Sequence, residues 1–65
     1  MLKIIEILGT SEESFSRAAD NAIQVAAQTV RGITSAKVTE MECKVENGRV
    51  SEYRAVLRIL FEVER

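Results

Sequence analysis

The chain has 65 residues, 46% of them apolar, with a net charge of −1, one cysteine and no histidine. So short a chain makes one small domain, residues 1–65, and buries only about 60% of its unfolded surface, so disulfides, metals or partner subunits commonly complete such folds. Mixed charges leave no basic footprint for nucleic acid or an anionic membrane, and without histidine no side chain titrates near neutrality unaided, so no catalytic residue is assigned and the chain is not read as an enzyme.

The opening run, MLKIIEIL, carries a lysine and a glutamate and is too short for a signal peptide or a membrane span. Cys43 is alone and cannot form an internal disulfide, which fits a reduced thiol packed as a small hydrophobe in a cytoplasmic protein. From Leu2 to Leu8 the apolar residues fall on both parities, the pattern of a strand buried on both faces rather than an exposed edge. Gly9 is expected to break that run. Thr10 and Glu13 in GTSEESF then fit a capping box, with Glu12 and Glu13 at the positive end of the helix dipole. Free amides at such a start could cradle an anion, but the two acids and the box argue for a cap.

Phe15, Ala18, Ala19, Ala22, Ala26 and Val30 recur at the spacing of one helix face, widened by Ile23 and Ala27, so a helix is expected over about residues 11–31, ended by Gly32 in a left-handed cap. The alanines let it lie close to a sheet. SAKVTEMECKVE and VSEYRAVLRILFEVE then flank Asn47-Gly48, the strongest short hairpin signal. In the last strand Tyr53, Ala55, Leu57, Ile59, Phe61 and Val63 alternate with polar residues, which marks a sheet face packed on the helix. The middle strand changes parity between Val38 and Met41, so a bulge is expected there. Connectivity completes an α+β fold: β-α-β-β with a three-stranded antiparallel sheet in the order 1-3-2.

A helix of some 20 residues spans about 30 Å, whereas a last strand of about 14 residues spans roughly 46 Å. The hairpin must overhang, leaving Met41, Val45, Val50 and Tyr53 without intramolecular cover. Another copy of the chain is the simplest cover, so a homo-oligomer is expected.

GTSEESF after a strand, the alanine-rich helix ending in TVRGI, the AKV opening of the second strand and EYRAVLRILFEV at the end resemble the dodecins. The resemblance covers about Lys3 to Val63. It implies a hollow homododecamer that stores or buffers a flavin, riboflavin or FMN, without enzymatic activity. The family's flavin site uses a tryptophan before the AKV-like opening, whose flat face stacks on the ring, and a glutamine after the tyrosine of the last strand. Ser35 and Arg54 stand at those positions, so they are the flavin-site equivalents of this chain: Ser35 offers one hydroxyl, and Arg54 only donates. Read as ordinary residues, Ser35 is a small strand-entry residue, and Arg54 either pairs with nearby acids or holds an anionic ligand such as a phosphate.

No HExxH or CxxC metal motif is present. Glu40, Glu42, Glu46, Glu52, Glu62 and Glu64 do cluster on the hairpin, and symmetry would repeat them into rings that suit calcium or magnesium. This supplies the alternative: a flavin-free cage that binds cations or anionic metabolites, or a purely structural one. Interspersed Lys37, Lys44, Arg49 and Arg58 favour a solvated, salt-paired surface. Whether the acids converge on an axis or pair with arginines discriminates the two.

Overall fold

The computed structural model describes residues 1–63; Glu64 and the end of the chain lie outside the described residues. Its elements are β1 (Leu2–Ser11), α1 (Phe15–Ala27), β2 (Ile33–Glu46) and β3 (Arg49–Glu62). Both outer strands run antiparallel to β3 in a sheet ordered β1-β3-β2, the expected arrangement. Helix α1 covers one sheet face. Ala18, Ala22 and Ala26 pack there on Ala55, Leu57 and Ile59, with Ile5, Ile7, Ile23, Val30 and Ala36 around them.

Gly9 does not end β1. It pairs with Ala55 inside the ladder, and a Cβ at this position would run into the Ala18 carbonyl oxygen and come within 2.8 Å of the Ala22 Cβ. Its missing side chain is what lets the alanine face of α1 approach the sheet, so the strand continues through Thr10 to Ser11. The helix starts correspondingly later. Ser14 is the N-cap, its hydroxyl accepting from the Arg17 amide at 3.0 Å. Ser11 accepts from the amides of Glu13 at 2.9 Å and Ser14 at 3.4 Å. The expected Thr10/Glu13 box is therefore replaced by two serines, and Glu12 and Glu13 precede the helix instead of occupying its first turn.

The helix also ends before residue 31. Gln28 is the C-cap, and the Thr29 and Val30 amides both donate to the Ala26 carbonyl as the chain turns away. Ala27, expected on the packed face, is the last helical residue and is exposed. Gly32, at φ 75°, is not the helix cap but the entry to β2: its carbonyl accepts from the Glu62 amide at 2.9 Å. That turn brings Ile33 opposite Phe61.

Asn47 and Gly48 have φ of 54° and 75°, the left-handed pair that a two-residue hairpin turn needs. Between Val38 and Glu40 the register shifts, as the parity change requires, so that Val38 opposes Leu57 and Met41 opposes Ala55 on the helix face. Thr39 is the extra residue, and its hydroxyl donates to the Val56 carbonyl at 3.2 Å. A second shift, between Lys44 and Val45, leaves Ser51 as the extra residue of β3, and a third, between Ile33 and Ser35, leaves Thr34 as an extra residue of β2.

The molecule measures 51 × 19 × 13 Å. A helix of 13 residues spans only about 20 Å, so the hairpin overhangs further than expected. Met41, Val45 and Val50 are 57%, 60% and 46% exposed. Tyr53, by contrast, is covered from within: its ring meets Phe15 edge-on with centroids 4.9 Å apart. Cys43 opposes Tyr53 but lies beyond the helix and is exposed rather than buried. Strand β1 is likewise an edge within the single chain. Ile5 and Ile7 face the helix, while Leu2, Ile4 and Leu8 on the other side stay more than half exposed.

Candidate functional site

Among the described residues nothing covers the sheet face turned away from α1. It displays the alternate residues of β3, Glu52, Arg54, Val56, Arg58, Leu60 and Glu62, together with their ladder neighbours. Arg54 occupies its middle. The guanidinium Nε donates to Glu52 Oε1 at 2.7 Å, and Nη1 lies 3.7 Å from Glu42 Oε1 on β2. The Glu52 hydrogen bond, then its charge, with Glu42 adding less, raise the Arg54 pKa above its ordinary value, so the cation is permanent across the accessible pH range.

Ser35 lies on the same face, exposed, opposite Leu60. Six positions of β3 separate Leu60 from Arg54, which is about 20 Å along a strand. One chain therefore does not bring Ser35 and Arg54 together. Beside Ser35 is a shallow open hollow of ≈ 210 Å³ lined by Ile4, Ala36, Lys37, Arg58 and Leu60. A larger open hollow of ≈ 580 Å³ lies where the 29–32 turn meets the end of β3, and it includes neither Ser35 nor Arg54.

Four of the six hairpin acids pair with cations rather than converge, and Glu40 makes no ion pair among the described residues. Glu42 and Glu52 hold Arg54, Glu46 lies 3.3 Å from Lys44, and Glu62 lies 2.8 Å from the amino terminus. Among the described residues no three acids form a metal-binding group, and Glu64 lies outside them. No helix among them is long and apolar enough to cross a membrane.

Sequence reasoning passed over Lys37 and Arg58 as part of a solvated surface, yet they are directly opposed beside Ser35. The signal was present. Counting back from the Asn47-Gly48 turn along a regular ladder sets Lys37 opposite Arg58, and the two bulges that lie between the turn and this pair, one on each strand, cancel to preserve that pairing.

The β-α-β-β topology with sheet order β1-β3-β2 is shared with known proteins. A family model described as Dodecin matches residues 1–64. The chain belongs to the dodecin family. It is 36% identical over 61 residues to the calcium dodecin of Mycobacterium tuberculosis, covering 94% of this chain and 86% of that one. To the dodecin of Thermus thermophilus it is 34% identical over 62 residues, covering 95% and 90%. Dodecin from Streptomyces davaonensis superposes with a TM-score of 0.96 over 100% of this chain and 96% of its own, at 23% identity. The solved calcium dodecin, described as calcium chelating, superposes with a TM-score of 0.86 at 34% identity, over 98% and 91%. The dodecin fold is thus retained here without a tryptophan anywhere in the chain.

Proposed function

We propose that this dodecin, a single domain over residues 1–65, is a non-enzymatic small-ligand binding or storage protein that assembles as a homododecamer in the cytoplasm. The observation that carries the reading is the open sheet face. Ser35 and Arg54 stand on it about 20 Å apart within one chain, and Leu2, Ile4 and Leu8 are uncovered beside them. A compact ligand that meets both positions therefore sits where two copies approach, and the same approach removes the apolar residues from water.

Riboflavin or FMN is the ligand that the family resemblance supplies, with Ser35 and Arg54 as its contacts. The Ser35 hydroxyl donates or accepts one hydrogen bond. Arg54 lends a guanidinium plane already steadied by Glu52 and Glu42. Loss of an aromatic stacking partner removes about 0.5–1.5 kcal/mol beyond the buried area, so flavin binding is expected to be weak. The proposed partners are copies of itself and a small molecule, with neither nucleic acid nor membrane among them.

A second reading, a divalent-cation site, is favoured by the likeness to a relative named calcium dodecin. Since Glu42, Glu46, Glu52 and Glu62 already have cationic partners, such a site would need acids of several copies gathered around an axis. Native mass spectrometry with riboflavin, FMN or calcium added to separate samples tests both. A dodecamer that gains flavin is the expected result. A dodecamer that gains only calcium transfers the function to the second reading, and a monomer overturns the assembly.

A further inference from the structure

On the open face, Lys37 and Arg58 form a directly opposed cross-strand pair. Like charges so placed destabilise a sheet unless something neutralises them. Glu6 is the ladder neighbour of Arg58 on β1, yet among the described residues neither Lys37 nor Arg58 lies within ion-pair distance of an acid. Arg54 on the same face is the opposite case, its charge answered by Glu52 and Glu42.

These two cations, without an acidic partner among the described residues, border the open hollow of ≈ 210 Å³, with Ser35 beside them and Ile4, Ala36 and Leu60 supplying apolar surface. Guanidinium, ammonium and hydroxyl donors are the set that holds a phosphate or similar oxyanion. The volume is below the roughly 300–1,000 Å³ of sites for drug-sized molecules, so the hollow itself seats about one or two rings and leaves the rest of a ligand in the open.

We propose that this open hollow binds a small organic anion, its oxyanion group held by Lys37, Arg58 and the Ser35 hydroxyl and its compact apolar body laid on Ile4 and Leu60. The assignment rests on the small-ligand reading above and names the ligand class. It also places the anion-holding role, which the sequence alone associated with Arg54, on the pair that no described acid compensates.

The test is calorimetric titration of the assembled protein with 1-naphthyl phosphate, with 1-naphthol and inorganic phosphate as its two halves. The phosphate ester is expected to bind more tightly than either half, and added salt is expected to weaken it. Lys37→Gln and Arg58→Gln should each weaken it about fivefold, the upper range for an exposed ion pair. Lys37→Arg should largely restore it. Lys44→Gln removes the same charge from the hairpin tip and should leave binding unchanged. Melting curves and assembly mass confirm that each variant is folded. Equal binding of naphthol and its phosphate, or indifference to both substitutions, overturns the proposal. Riboflavin is titrated in parallel: if it binds where naphthyl phosphate does not, the anion assignment alone falls, and if neither binds, the small-ligand reading falls with it.

Discussion

Single residues decide how α1 begins and how close it lies to the sheet. The GTSEESF stretch was legible as a helix start, but its participants were not, because Thr10, Ser11 and Ser14 can each offer a capping hydroxyl and only the strand's length selects among them. Ser14→Ala is expected to cost about 1 kcal/mol in urea denaturation, while Thr10→Ala, outside the observed cap, should leave the helix start unaffected. Gly9→Ala is the more severe change. Its methyl group would meet the Ala18 backbone and the Ala22 Cβ at 2.8 Å, and overpacking of this kind costs about 1–3 kcal/mol, read as a lowered denaturation midpoint. Gly48→Ala should cost about 1–2 kcal/mol for a different reason: open space surrounds the new methyl, but φ of 75° penalises any Cβ.

At the scale of elements, the alternation of β3 and the Asn47-Gly48 turn defined the hairpin correctly, since a period of two and a left-handed turn pair are local properties. The parity change located the Thr39 bulge for the same reason. Nothing comparable announced Ser51. Its neighbours Val50 and Glu52 keep a plausible alternation, and the second bulge shows only in the ladder itself, where Val45 pairs with Val50 and Lys44 with Glu52. The helix was overextended at both ends because its periodic pattern continues into residues whose contacts are with loops. Val30 packs against the core from the turn after α1 rather than from the helix.

At the scale of the whole molecule, length is what demands partners. Strands of 14 residues outrun a helix of 13, leaving Met41, Val45 and Val50 outside any core that one chain can build. The double substitution Met41→Lys and Val45→Glu is expected to leave the β-α-β-β core folded by circular dichroism while shifting light-scattering mass toward smaller species. A dodecameric mass in that variant would show that the overhang is not an assembly surface. The continuous apolar character of β1 belongs to the same account: the sequence implied burial on both faces, whereas one chain supplies only the helix side.

Sequence alone determined strand, helix and turn identities, the 1-3-2 order and the family resemblance, because hydrophobic period, turn chemistry and antiparallel connectivity are carried by residues near one another in the chain. It also placed Ser35 and Arg54 at the positions the resemblance makes interesting. Tertiary structure decided what those residues face: Arg54 is engaged by Glu52 and Glu42, Ser35 stands beside Lys37 and Arg58, and the two positions lie apart on one sheet face. The physical reason is that charge compensation and cavity formation depend on cross-strand register and side-chain direction, which join residues distant in sequence.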